Sequence, residues 1–488
     1  MFGFTRRNRA KSHVDQPTAG FHSPRRMMTA SFDAAQTSHE NARHWAAADA
    51  LSADAGLILS TRVVLRNRAR YEVANNPYAR GIINTLASDT IGTGPRLQMN
   101  TGEMAINKVI EQRWNEWCQA IRFAEKLTVG RKSRCHDGEV FYRKVTNPGV
   151  RSRVQLDLQA IECDQVSSPF TNQTMLVDGI VLDEFGNPKA YHVLKDHPGS
   201  LIGAAIGQYE EVPASDIIHW FRPDRPGQHR GIPEITPSLP LFACLRRWTL
   251  ATVASSEWAA SQTVFFRTTA PPEEGAAEID MSTTLDVERG TGTFVPEGWE
   301  PFQMKAEHPT SVYSDFKHEL LNEIARPFSM PYNIAACNSS GYNYSSGRLD
   351  HQLYFKSIRI DRAMTEIAVI DPVFEAWFME AVLLSDYLPV RARVAPRTHT
   401  WMWDGFEDLD PAKSAAANAQ ALASRTTTLQ DVWAAKGYDW SEKLQQIADE
   451  RKLMQQLGIP ESQAPVPNGT QKGADDVDEE PKPNAAGR

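Results

Sequence analysis

Cys135, His136 and Asp137, with Glu139 close behind, are the residue types of a thiol nucleophile, its base and a group to orient the base. A thiol-dependent hydrolase would use Cys135 and His136 in this way. The stretch runs into VFYRKV (140–145), which reads as a strand, and neighbours on a strand point to opposite faces. Cys135 and His136 would then not address each other, and the segment reads as a turn leading into that strand. His192 and His197 straddle a turn, with His219 beyond. No acidic residue stands at helical spacing from two histidines, so no convergent metal-ligand set is visible. GTGPR (92–96) is too short for a dinucleotide fingerprint, and Pro95 removes an N–H that a phosphate would use. The patterns GxxxxGKS/T and GxSxG are absent. No catalytic residue, metal or cofactor is assigned.

Two further features could touch a ligand. Trp401 and Trp403 alternate in THTWMW (398–403), which would let them stack a base or fill both sides of a core strand. NSSGYNYSSG (338–347) has no apolar period, no carboxylate and many hydrogen-bonding groups. Connectors between helices are normally ~2–8 residues, so a polar loop of this length is unusual.

Around these residues the chain reads as α+β. Helices are expected on both sides of Asn76-Pro77, because proline disfavours helix at the residue before it and opens the next one. Ala79, Ile82, Ile83, Leu86 and Ala87 mark an apolar face, and Gly92 to Pro95 stop that helix. Another helix runs from Glu103 to Cys118, with Ile106, Val109, Ile110, Trp114 and Trp117 inward. From about Leu127 to Ile218 short alternating runs predict mostly antiparallel strands, with a hairpin turn at DEFGNP (183–188). A long helix is expected within 233–262, its stripe Leu241, Leu245, Trp248 and Thr252, its other side crowded with Ala and Ser that admit a close neighbour. A compact β insertion follows, and Phe316, Leu320 and Ile324 restart a helix that ends before Pro327. Leu349 to about Tyr387 is the longest helical stretch, with Leu353, Ile360, Met364, Ile367, Phe374, Trp377 and Phe378 as its apolar series and a kink at Asp371-Pro372. VRARVAP (390–396) and THTWMW read as strands, followed by helices from Pro411 and from Ser441.

Composition bounds the function. At ~100–200 residues per domain, 488 residues make about three units. The formal charge of −8 argues against a tight, whole-surface grip on DNA, which needs cations to neutralise phosphates, but leaves room for a channel through which DNA slides. Five scattered cysteines form no disulfide framework and no zinc spacing, and a reducing compartment fits them. The N-terminus lacks the apolar run of a secretory signal, and no stretch approaches the ~20 apolar residues of a membrane span. Residues 1–45 read as a flexible basic arm and 456–488 as a disordered tail, acidic at 475–480.

Several segments, taken in order, resemble the lambda-type phage portal proteins: RARYEVANNPYARGI (68–82), IGTGPRLQ (91–98), DGIVLDEFGNPKAYH (178–192), IIHWF (217–221), RPGQHRGIP (225–233), EIARPFSMPY (323–332) and YNYSSGR (342–348). Residues 403–411 are similar to that family's closing strand and Asp-Pro helix start, and the likeness covers about 45–455. It implies the portal fold of wing, stem, clip and crown, assembled as a ring, typically a homododecamer, around a central channel. Mapped onto this sequence, the wing is 46–238 plus strands at 389–410, the stem helices are 239–263 and 312–330, and the clip is 264–311. The tunnel loop is 331–348, a long kinked helix is 349–388, and the crown helices are 411–455. The resemblance further implies a virion protein at one capsid vertex, assembled in the host cytoplasm, with no enzyme activity. DNA would be packaged through it by the terminase large subunit and ejected through it on infection. A head–tail completion protein, the major capsid and scaffold proteins and the double-stranded DNA in transit would be its partners, with no membrane. Asn338, Tyr342, Asn343, Tyr344 and Arg348 would be the DNA-facing residues of the tunnel loop.

Overall fold

The computed structural model describes residues 43–168, 176–200, 208–261, 265–268, 299–302, 310–406 and 411–459. The expected basic arm, the tail beyond 459 and most of the clip lie outside the described residues. The chain divides into two units, Met1–Ser52 and Ala53–Arg488. In the first, the Ala48 amide closes a turn on the Trp45 carbonyl at 3.0 Å.

The second unit opens with α1 (Ala53–Gly56), α2 (Leu59–Asn75) and α3 (Pro77–Ile91). Between the last two, Asn76 is extended and its side chain accepts from the Tyr78 amide, while Pro77 starts the new helix without an orphaned donor. The expected face of α3 is buried throughout. After a break at Gly92 and Gly94, both at positive φ, come β1 (Arg96–Met99) and α4 (Met104–Ala120). On α4, Ile106, Ile110, Trp114 and Trp117 are buried, as their spacing requires.

The next segment corrects the sequence reading. Residues 123–136 are not strand but α5 (Phe123–His136). Its buried side is Leu127, Gly130, Arg131, Arg134 and Cys135, so glycine and paired arginines stand where an apolar stripe would have announced a helix. Gly130 has no room for a Cβ, because the Tyr142 hydroxyl and the Trp220 ring fill the space.

Then come β2 (Glu139–Thr146) and β3 (Leu156–Ile161), the short strands β4 (Leu176–Val177) and β5 (Ile180–Leu182), and β6 (Pro188–Leu194), β7 (Tyr209–Pro213) and β8 (Ile217–Phe221). They make two antiparallel sheets, ordered β3-β2-β8 and β4-β5-β6-β7. The expected hairpin turn is present: the Asp183 carboxylate accepts from the Phe185 and Asn187 amides at 2.9 and 2.7 Å, and Gly186 takes φ 83°. Phe141, Ile161, Ile180, Tyr191 and Val193 fill a core shared by the two sheets.

α6 (Leu239–Ser261) begins after a short turn, and Trp248 stacks on Tyr313 of the later α7 (Thr310–Ala325) at 4.7 Å. Between these helices β9 (Phe265–Thr268) pairs antiparallel with β10 (Trp299–Phe302), in keeping with a β insertion. Next are α8 (Tyr332–Ala335) and α9 (Tyr344–Thr365). A π turn at Glu366–Ile370 leads into α10 (Asp371–Leu383), so the irregularity expected at Asp371-Pro372 falls in the five residues before it, where the widened turn accommodates the proline.

The stretch 390–394 is α11 (Val390–Val394) rather than a strand: Pro389 precedes it, and of its residues only Ala392 is buried. β11 (His399–Met402) pairs antiparallel with β1, and α12 (Pro411–Ala423), α13 (Leu429–Ala435) and α14 (Trp440–Gln456) close the chain. One large core joins α4, α5, the β3-β2-β8 sheet and α10 around Trp114, Trp117, Phe374 and Trp377. A second joins α3, α6, α7 and α9 around Phe242, Leu321, Ile324, Tyr354 and Ile358.

Candidate nucleic-acid interface

The polar loop between α7 and α9 is shorter than its composition suggests. α8 occupies its start, and α9 begins at Tyr344, five residues before the expected Leu349. Cys337 takes a left-handed φ of 52° to turn the chain out of α8, and the Asn338 amide donates to the Asn333 carbonyl at 3.0 Å. The Asn338 side-chain oxygen accepts from the Ser340 amide at 2.9 Å and its hydroxyl at 2.6 Å. Gly341, at φ 88°, makes the tip, and the Tyr342 amide returns to the Ser339 carbonyl at 3.2 Å. Asn343 caps α9, its side chain accepting from the Ser346 amide at 2.8 Å.

The named residues therefore divide. Asn338, Tyr342 and Asn343 are on the loop, Tyr344 is the first residue of α9, and Arg348 is one turn further. Asn338, Asn343 and Arg348 are exposed and Tyr342 is half-buried; burial, then Asp350, pushes its phenol pKa up. The oxygens of both asparagines are spent on local turns, and neither Nδ2 group has a partner among the described residues. Arg348 has no acidic partner among the described residues. The first turn of α9 carries no acid, so the positive end of the helix dipole and Arg348 act together.

The base of the loop is firmly held. Asn333 Nδ2 lies 2.8 Å from His351 Nε2, tying α8 to α9. The Tyr354 hydroxyl donates to Asp89 at 2.8 Å. Arg362 donates to the carbonyls of Thr90, Asp404 and Asp89 at 2.9, 2.9 and 2.8 Å. Arg131 and Arg134 of α5 reach Asp361 of α9 at 2.8 and 2.9 Å, and both also meet Glu234. A mobile-looking composition thus sits on a helix locked from three sides.

The other candidate sites lose their chemistry. Cys135 is fully buried, and burial pushes its thiol up to about 12, so no thiolate forms near neutrality. Its sulfur accepts from Arg131 at 3.1 Å, while His136 turns to Asp137 at 3.1 Å. His192 stacks on Tyr209 and His219 lies between Phe141 and the Glu139 carboxylate; burial lowers both imidazoles, keeping them neutral. Glu162, Asp164 and His197 converge, but Arg66 and Arg70 hold Asp164 at 2.9 and 2.6 Å and occupy the place a cation would take. Trp401 and Trp403 donate to Asp371 and Glu366 at 2.7 and 2.6 Å; Trp403 is buried in the core and the half-buried Trp401 packs against it.

Sequence reasoning misplaced one surface. Leu353, Ile360, Met364 and Ile367 have the expected helical spacing but are exposed, while Tyr354, Ile358, Arg362 and Thr365 form the buried side. The signal was present in the spacing; what it lacked was the identity of the covered side.

Residues 39–362 match the family model described as phage portal protein, lambda family. The chain is 26% identical over 466 residues to a "Probable portal protein" of Halomonas phage phiHAP-1 (isolate -/Gulf of Mexico/-/2001), covering 88% of each. Among solved structures it is similar to a chain in the neck of an empty gene transfer agent particle computed with C6 symmetry, with 15% identity, 75% of this chain and 88% of that one covered, and a TM-score of 0.42. It is likewise similar to a chain in the neck of the native particle computed with C12 symmetry, with 14% identity, coverage of 75% and 90%, and a TM-score of 0.41.

Proposed function

Because the chain belongs to the lambda family of phage portal proteins, we propose that its copies assemble into a ring at one capsid vertex and that the α8–α9 loop lines the channel for double-stranded DNA. The observation that carries the reading is the family match, which runs through the loop and the anchored part of α9. The charge distribution supports it. The chain has a net charge of −8, and a body that repels phosphate limits sticking. The loop offers neutral donors, and Arg348 adds one exposed cation per copy, enough for weak, salt-screened contacts.

In this role the protein conducts DNA and a terminase large subunit supplies the force, first for packaging and then, after a head–tail completion protein replaces it, leaving the path open for ejection. The segment 264–311 is the docking element for both, and the major capsid and scaffold proteins meet the outer surface during assembly in the host cytoplasm. Among the described residues no helix is long and apolar enough to cross a membrane.

Sedimentation and negative-stain imaging of the purified full-length chain test the assembly. The expected result is a ring with a central hole and a mass many times 54.5 kDa. A chain that stays monomeric at every concentration, alone and with its capsid proteins, overturns the reading.

A further inference from the structure

The exposed side of α9 carries Leu349, Leu353, Ile360 and Met364, one stripe at helical spacing that Ile367 continues into the π turn. At 1.5 Å per residue it runs about 27 Å along the helix. Leu353 is 68% exposed and Ile367 73%. Singly exposed apolar residues are ordinary, but a row of large ones on one side of a helix, broken here by Lys356 between Leu353 and Ile360, marks a surface that another molecule covers. The opposite side of α9 is already buried against α3 and tied to α5 and α8, so the helix has two packing faces and the described residues fill one. Lys356 in that break and Arg359 beside the stripe are both exposed and without an acidic partner among the described residues.

The complement lies elsewhere on the same chain. Asp315, Glu319 and Glu323 are spaced four apart along the exposed side of α7, without a cationic partner among the described residues, and Phe316 is 49% exposed beside them. α7 and α9 turn their buried sides to a common core, through Leu321 and Ile324 on one and Tyr354 and Ile358 on the other. Their exposed sides therefore face away from that core and do not cover each other within one chain. Two different surfaces of one chain that fit each other make a head-to-tail contact, which gives a ring where the rotation between copies closes.

We propose that the apolar stripe of α9, with Lys356 and Arg359, docks onto the acidic face of α7 in a second copy of this chain. The proposal rests on the ring assembly read above and names the surface that makes it. Apolar burial holds the contact, and the charges set its register and reject wrong partners.

The test uses the full-length chain, sized by native mass spectrometry and sedimentation. Ile360→Asp with Met364→Asp, Lys356→Glu with Arg359→Glu, and Glu319→Lys with Glu323→Lys should each lower the ring fraction by about tenfold or more. Circular dichroism should stay unchanged, since every substituted side chain is exposed. Combining the two charge reversals should bring the ring back. Wild-type ring levels in the Ile360→Asp/Met364→Asp chain would overturn the proposal, and so would a double charge reversal no better than either half. Rings that persist in every variant sink this interface and leave the portal reading standing. A wild-type chain that never forms rings sinks both.

Discussion

Helices α2 and α9 each break the rule that charge lies outside and apolar groups inside, and they break it in opposite directions. α2 buries Arg62 and Arg66 and half-buries Arg70, one per turn. Each finds an acid in its own chain: Arg62 meets Glu139 at 3.3 Å and also Asp178, Arg66 meets Asp164 at 2.9 Å, and Arg70 meets Asp137 at 2.6 Å. α9 exposes a row of large apolar side chains that nothing among the described residues covers. The charges are satisfied internally and the apolar row is not. Periodicity locates the faces of a helix; only the partners decide which face is the inside, and for α9 the partner proposed above is a second molecule.

The sharpest break of this comparison is at the centre of the α2 ladder. Glu139 accepts from Arg230 at 2.9 and 2.6 Å, from Arg62 at 3.3 Å and from the Gly231 amide at 2.8 Å. Glu139→Ala leaves the Arg230 guanidinium buried without its counter-charge and Arg62 with Asp178 alone, and should cost about 3–5 kcal/mol in denaturant unfolding. An unchanged midpoint would mean that the ladder does not hold α2.

Acid probes a second buried network, the one joining α5 to α9. Burial works upward on the Glu234 carboxyl, but Arg131 and Arg134 outweigh it and bring it down to about 2. A folded value below the unfolded ~4.3 means that the contribution is complete above ~4.3 and is lost as pH falls toward the folded value. Fluorescence of Trp220, which lies under Arg134 at 5.1 Å, should report that loss in the wild type, and Glu234→Gln should not show it. A smaller effect comes from the covered side of α9. Tyr354→Phe removes the hydrogen bond to Asp89 and should lower stability by roughly 1–3 kcal/mol, leaving ring size alone.

These networks also explain what was legible in the sequence. The faces of α3 and α4, the Asn76-Pro77 joint, the turn at 183–187 and the paired strands flanking the insertion were readable because local chemistry decides them. α5 was not, because two of its buried positions are arginines whose acids, Glu234 and Asp361, lie 100 and 227 residues from Arg134. α11 was misread because VRARV satisfies both periods over five residues. In the loop, Asn343 is a residue type that caps helices, a signal which the Asn-Ser-Gly-Tyr composition masked. The DNA role of that loop enters through the family, since asparagine, serine and tyrosine equally serve turns and caps.

Arg348 gives the smallest expected change in stability and separates a third case from the other two: an exposed charge with no partner among the described residues. It is the fifth residue of α9, near the positive end of the helix dipole, where a cation is slightly unfavourable. Arg348→Glu should therefore stabilise the isolated fold by at most about 0.3 kcal/mol, within the usual ±0.5 kcal/mol of surface substitutions. Ring size should not change, because the stripe that would make the contact is left intact. The passage of DNA should change, since every copy would now present a negative group to phosphate at short range, most severely at low salt, where screening is weakest. Packaged genome length, measured at low and high salt with mutant rings of confirmed size, reads this directly. Full-length packaging at both salts would place the loop away from the DNA. Shortened packaging with an unchanged or slightly raised melting point would separate conduction from stability in a single side chain.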